Sequence, residues 1–121
     1  MGMSYQIDEQ QQCIFVRLHE EITEWSLWAG LEQLWNDPKF QSHFARLLDG
    51  TGVRVAAVKP EFIEAVARDF RSKTGGKLAL VAGDSPTMYD FFVRYRDSLA
   101  LPDCRVFKRV EEAISWLGIT R

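Results

Sequence analysis

Apolar side chains along this chain follow two spacings, one typical of strands and one typical of amphipathic helices. Near the N-terminus, Tyr5 and Ile7 alternate with polar neighbours, and an apolar run that starts at Cys13 follows a polar turn. This pattern predicts an antiparallel hairpin. From Phe44 to the C-terminus, apolar runs alternate with segments of helical periodicity, which predicts alternating strands and helices.

Four segments have the periodicity of helices with one buried face. Thr23 is expected to cap the first, and Pro60 and Pro86 are expected at the starts of the second and third. Asp90 and Arg94 are predicted to form an ion pair on the exposed side of the third helix. The predicted apolar faces consist of Leu27, Trp28, Leu31, Leu34 and Trp35; Phe62, Ile63, Val66, Ala67 and Phe70; Met88, Phe91, Phe92, Tyr95 and Leu99; and Val110, Ala113, Ile114 and Leu117.

Three apolar runs, at 44–48, 77–82 and 104–107, predict further strands. The first is expected to end in a tight turn at Asp49-Gly50-Thr51-Gly52, because glycine adopts backbone angles that other residues resist. The second, bounded by glycines, predicts a buried central strand. The order of elements predicts one α/β domain over residues 1–121, in which a mixed sheet of about five strands is joined to four helices by right-handed crossovers.

Composition narrows the class of protein. A length of 121 residues, with 46% hydrophobic and 26% charged side chains, is expected of one soluble, folded domain. The net charge of -2 and the mixing of both signs argue against a nucleic-acid partner. Cys13 and Cys104 lack the spacing of metal ligands, so we expect buried free thiols and no metal. With no long apolar stretch and a polar N-terminus, we expect no transmembrane segment and a cytoplasmic location.

Polar residues that follow two of the predicted strands are the candidate binding residues. The carboxyl ends of parallel strands share one edge of a sheet, so the segment with Asp49 and Thr51 should lie beside the segment with Asp84, Ser85 and Thr87. Exposed amides and hydroxyls there could hold an anion. The alternatives are a tight turn in the first segment and ordinary helix capping in the second.

Aromatic side chains are the second group of candidates. Trp25 falls beside the apolar stripe of the first helix, Trp28 falls within it, and Tyr89 lies on the flank of the third helix. Aromatics that are exposed together mark a surface for a protein partner, a second copy or a lipid, whereas single ones can pack at the edge of the core. Neither histidine is part of a catalytic motif, so we expect no catalytic residue and no cofactor.

The C-terminal half of the chain resembles the SpoIIAA-like family of the STAS (sulfate transporter and anti-sigma factor antagonist) superfamily. The resemblance is carried by the strand at 77–82, the aromatic helix after Asp84-Ser85-Pro86, the strand that ends Arg105-Val106-Phe107, and the closing helix Glu111-Glu112-Ala113-Ile114-Ser115-Trp116-Leu117. The order of the N-terminal hairpin and the remaining elements extends it over nearly the whole chain.

The resemblance implies a protein that binds partners and catalyses no reaction. Some STAS domains are switched by phosphorylation of a serine or threonine after an aspartate, and Asp49-Gly50-Thr51-Gly52 is the nearest match here. Gly50 stands at the acceptor's position, which leaves Thr51 as the candidate phosphoacceptor. The expected function is a STAS-like regulatory or interaction domain that self-associates. The alternative is a small carrier or sensor of a lipid or other apolar ligand, by analogy with Sec14-type lipid carriers.

Overall fold

The computed structural model describes residues 2–73 and 75–120, with the side chains of Phe70 and Ser72 left out. The predicted place of Phe70 on an apolar helix face lies outside the described residues. Within those ranges the chain forms a five-stranded mixed sheet in which each strand pairs with the next one in the chain. The strands are β1 (Met3–Asp8), β2 (Cys13–Thr23), β3 (Ala45–Ala57), β4 (Leu78–Val81) and β5 (Cys104–Phe107).

The hairpin and the parallel strands occur as predicted. β1 pairs antiparallel with β2, and β2 to β5 pair parallel with one another. Parallel neighbours need a crossover, and a helix supplies each one. The helices are α1 (Glu24–Trp35), α2 (Pro60–Phe70), α3 (Pro86–Leu99) and α4 (Val110–Leu117), with a short 3-10 turn (Arg71–Lys73) after α2. The predicted α/β fold class is therefore confirmed.

The helix ends also follow from the sequence. The Thr23 hydroxyl accepts a hydrogen bond from the Ser26 amide at 3.1 Å, and Pro60 and Pro86 occupy the first turns of α2 and α3. A side-chain cap of this kind stabilises a helix by about 1 kcal/mol. One prediction is wrong: Arg94 contacts Glu64 of α2 at 3.2 Å instead of Asp90. Because α2 and α3 pack side by side, the ion pair forms between helices.

Two apolar clusters lie on opposite faces of the sheet. The larger cluster packs α1, α2 and α3 on one face and includes the fully buried Phe92 and Leu99. The smaller packs α4 on the other face, around Ala79, Val81 and Ala113. β4 contributes to both clusters and is buried along its whole length, as its continuous apolar run predicted.

β3 departs most from prediction. The expected tight turn at Asp49-Gly50-Thr51-Gly52 is wrong, because the strand continues through it to Ala57. Beyond Asp49, β3 loses β4 as a neighbour and pairs with β2 alone, with two shifts in register. Gly50 is needed for packing: a Cβ there would lie 2.9 Å from Met88 and Phe92 of α3. Gly50 therefore allows α3 to pack closely against β3.

Candidate functional site at the carboxyl end of the sheet

A buried carboxylate is hydrogen-bonded to a threonine hydroxyl at the point where the pairing of β3 with β4 ends. Asp49, which pairs with Val81, is 7% exposed. Its Oδ1 accepts hydrogen bonds from the Thr51 amide at 2.9 Å and from the Thr51 hydroxyl at 2.6 Å. Bonds to a charged acceptor are stronger than neutral ones. Thr51 is an exposed residue, and these bonds fix the orientation of its hydroxyl.

The segment with Thr51 and the segment with Gly83 and Asp84 lie side by side, as predicted. Gly83 contacts Thr51: a Cβ on Gly83 would be 3.3 Å from the Thr51 Cγ2. Gly83 has a φ of +69°, in the region that favours glycine, so the chain can turn there against Thr51. Asp84 follows and lines a shallow depression together with Thr51.

The start of α4 completes this depression, which we call the carboxyl-end site. Its lining is Thr51, Gly83, Asp84, Lys108, Arg109, Val110 and Glu111. Lys108 Nζ is 3.4 Å from the Asp84 carboxylate, an exposed pair of small energetic value. Sequence reasoning missed the residues after β5, although the rule applied to the ends of β3 and β4 also places the end of a parallel β5 at this edge.

Charges in the carboxyl-end site nearly balance. Lys108 and Arg109 are matched by Asp84 and Glu111. At the start of α4, the Arg109 amide donates to the Glu112 carboxylate at 3.2 Å, so this carboxylate already takes a helix N-terminal amide. The predicted anion site therefore has little electrostatic selectivity, because two carboxylates line the depression with the two cations.

Ser85 and Thr87 are placed apart from this depression. The Ser85 hydroxyl accepts a hydrogen bond from the Met88 amide at 3.2 Å and caps α3, which is the capping alternative of the sequence analysis. Thr87 is exposed in the first turn of α3. Neither side chain is among the described residues that line the carboxyl-end site.

Within residues 2–73 and 75–120, three large apolar side chains are exposed, and each lies near the carboxyl end of a parallel strand. Trp25 is 76% exposed in the first turn of α1, Val55 is 53% exposed near the end of β3, and Tyr89 is 52% exposed in the first turn of α3. The first turns of helices that follow parallel strands lie at the carboxyl end of those strands. We call these three residues the apolar trio.

Trp28, the other candidate tryptophan, and Trp116 of α4 are partly covered. Trp28 is half-buried on α1, where it packs against the larger cluster and borders a groove towards α2. Trp116 packs against Phe107, with the ring centroids 5.6 Å apart. Lys77 and Arg105 lie over the Trp116 ring at 5.1 and 5.3 Å from its centroid. Trp116 therefore belongs to the packing of α4.

A small apolar cavity lies between the sheet and helices α1 to α3. Its volume is about 30 Å³, whereas pockets for organic ligands are typically ~300–1,000 Å³. In this structure it therefore has no room for a lipid. The lining is Met3, Val16, Leu18, Leu27, Leu31, Leu48, Phe62, Ile63, Val66, Phe91, Phe92 and Tyr95.

The two cysteines are buried and free, as predicted. Burial raises the pKa of Cys13 to about 11 and that of Cys104 to about 12, so both thiols are protonated and unreactive at neutral pH. Within residues 2–73 and 75–120, no three histidine, cysteine, aspartate or glutamate side chains are grouped so as to hold a metal ion. No helix in the described part is both long enough and apolar enough to cross a membrane.

Comparison with known proteins leaves the family open. No protein-family model matches this chain. No curated protein matches it either. The resemblance to SpoIIAA-like domains therefore stays a prediction.

Proposed function

We propose that this chain is a STAS-like interaction domain without catalytic activity, which self-associates through the apolar trio. The observation that carries the proposal is that Trp25, Val55 and Tyr89 are exposed near the carboxyl ends of β2, β3 and β4. Tryptophan and tyrosine are enriched in the cores of protein interfaces and among the residues that contribute most to binding. Among these three side chains, the exposed tryptophan has the largest apolar surface, so its burial against another protein contributes most to the free energy of binding.

A second copy of the chain is the partner that we favour. The net charge of -2 is small for 121 residues, so repulsion between two copies is weak. The carboxyl-end site adds both signs of charge near the same end, with Lys108 and Arg109 beside Asp84 and Glu111. A surface with both signs can pair with itself in a symmetric dimer, because each cation can face a carboxylate of the other copy.

Sedimentation equilibrium of the full chain tests this proposal. We expect a reversible dimer at micromolar concentrations and at least a ~10-fold weaker dimer for Trp25→Ala combined with Tyr89→Ala. A matched control replaces two exposed polar residues nearer the other ends of the same helices, Gln33→Ala with Asp97→Ala. A wild-type chain that remains monomeric throughout, or a control that dissociates as much as the aromatic variant, contradicts the proposal.

Phosphorylation of Thr51 is the regulation that this proposal includes. It is supported by the hydroxyl of the exposed residue Thr51, which donates to the buried Asp49 carboxylate at 2.6 Å. A phosphate at Thr51 would bring about two negative charges next to Asp49 and Asp84, which would change what this end of the sheet attracts. Phosphopeptide mapping of the chain purified from its host should find phosphate at Thr51, and a chain without phosphate there argues against this switch.

A carrier or sensor of a lipid or other apolar ligand is the second candidate. It is favoured by the cavity under α1 to α3, whose lining is apolar throughout. Because this cavity is only about 30 Å³, a ligand can bind there only if the elements that line it move apart. Native mass spectrometry of the freshly purified chain tests this function: a bound, exchangeable lipid supports it, and a chain that never retains lipid argues against it.

A further inference from the structure

A groove between α1 and α2 lies at the opposite end of the molecule from the carboxyl-end site. It has a volume of about 280 Å³ and is lined by Trp28, Glu32, Trp35, Asn36, Asp69 and Lys73. Because both helices run antiparallel to the strands, their C-terminal ends place this groove near the amino end of the sheet. The lining combines two indole rings, two carboxylates, one amide and one ammonium group.

The groove already accommodates an ammonium ion, which belongs to the chain itself. Lys73 Nζ lies 4.9 Å from the centroid of the Trp35 ring. A cation within about 6 Å of an indole face is attracted by the negative face of the ring. The geometry of Trp35 and its surroundings is therefore suited to an ammonium group.

Charge in the groove favours the same chemistry. Glu32 and Asp69 supply two carboxylates, one from each helix, against the single positive charge of Lys73. All three side chains are exposed. Because two carboxylates and one ammonium group line the groove, it attracts a further cation and repels an anion.

We propose that this groove binds a small organic ammonium ion, primary or quaternary, in place of the Lys73 side chain. The indole rings contact the alkyl groups and the positive charge, and Glu32 and Asp69 neutralise that charge. The volume of about 280 Å³ limits the ligand to a few heavy atoms beyond the ammonium group. This site is independent of self-association at the carboxyl end.

Proton–nitrogen NMR of the tryptophan indoles tests the proposal, with choline, methylammonium and the uncharged choline analogue 3,3-dimethylbutan-1-ol as probes. We expect choline or methylammonium to give saturable shifts of the Trp28 and Trp35 indole signals. The signals of Trp25 and Trp116 should move far less, since both residues lie outside the groove. Equal binding of the uncharged alcohol, or equal shifts at all four indoles, overturns the proposal.

Variants of the groove separate competition by Lys73 from attraction by the carboxylates. Lys73→Met removes the resident ammonium group and should tighten choline binding about fivefold, the effect of one nearby like charge in water. Glu32→Gln with Asp69→Asn should weaken it by a similar factor, and Glu61→Gln in the first turn of α2, at the other end of that helix from Asp69, should leave it unchanged. If Lys73→Met does not fold, Lys73→Gln gives the same comparison. Unchanged or weaker binding after loss of Lys73 contradicts the proposal.

Discussion

The two ends of the sheet differ in which side chains are buried and which are exposed. At the amino end, Arg46 is only 4% exposed, and its guanidinium donates to the Lys73 carbonyl and lies 5.1 Å from the centre of the Phe40 ring. At the carboxyl end, Trp25 is 76% exposed and Tyr89 is 52% exposed. Both ends bury a charged group, Arg46 at the amino end and Asp49 at the carboxyl end, but the exposed indole and phenol rings lie at the carboxyl end.

The difference suggests that the amino end contributes mainly to the stability of the fold and the carboxyl end to binding. At the amino end, Arg71 also donates to the carbonyls of Ser98 and Leu99, so arginines satisfy helix C-terminal oxygens that would otherwise lack partners. Gly76 lets the chain pass close to His43, whose carbonyl would be 2.5 Å from a Cβ at that position. Substitutions in such tightly packed regions are expected to destabilise the fold. Exposed apolar groups at the carboxyl end can instead contact another surface.

The largest expected effect breaks the amino end. Arg46→Ala should lower the free energy of unfolding by about 3 kcal/mol, because it removes a charge-assisted hydrogen bond and leaves a cavity. Arg54→Ala is the matched control, since Arg54 is an exposed arginine in the carboxyl half of the same strand, and it should change stability by less than about 0.5 kcal/mol. Urea denaturation measures both. Similar losses for the two variants would remove the contrast between the ends.

Alkaline pH should also act through buried groups. Burial raises the pKa of Cys13 to about 11 and of Cys104 to about 12. The folded chain therefore keeps thiol protons that the unfolded chain releases above about pH 9, so stability falls as pH rises. Between about pH 8 and pH 10.5, each thiol should contribute a loss of about 1–2 kcal/mol. In Cys104→Ala this loss should be smaller, and an identical pH dependence would contradict the assignment.

The hydrogen bond of the carboxyl-end site should contribute less. Thr51→Val keeps the shape of the side chain but removes the hydroxyl that donates to Asp49, so we expect a loss of about 1 kcal/mol. Thr87→Val removes an exposed threonine hydroxyl at the same end and serves as the control, with a change near zero. Thermal unfolding measures the difference, and equal melting temperatures for the two variants would count against a structural role for this bond.

The smallest expected effect on folding is at the apolar trio. Trp25→Ala should change the free energy of unfolding of the monomer by less than about 0.5 kcal/mol, since the ring is 76% exposed and has little packing to lose. The unfolding midpoint should therefore be nearly unchanged at concentrations where the chain is monomeric. A large loss of monomer stability would show that Trp25 is needed for folding, and would weaken its assignment to binding.

Local sequence signals predicted most of the fold. The cap at Thr23 and the buried strand β4 depend on nearby residues and occur as predicted, and Ser85 caps α3, which was one of the two alternatives for its segment. The continuation of β3 through Gly50 could not be predicted, because glycine at that point serves the packing of α3, which comes more than thirty residues later in the chain. A four-residue segment with two glycines is compatible both with a turn and with a strand that packs closely against a helix, so the local sequence does not distinguish the two.

The candidate site was predicted only in part, for the same reason. The parallel order of strands was enough to bring Thr51 beside Gly83. It was not enough to distinguish the exposed Trp25 from the covered Trp116, because the cover over Trp116 comes from Lys77, Arg105 and Phe107, on other elements of the chain. Exposure of an aromatic ring depends on such distant neighbours.

Amide hydrogen exchange of the full chain at low and at high micromolar concentration is the most direct test of which end of the sheet binds a second copy. We predict that protection rises with concentration in the second half of β3 and the first turns of α1 and α3, around Val55, Trp25 and Tyr89, and stays constant around Arg46. Protection that does not depend on concentration, or that rises only at the amino end, would contradict the account.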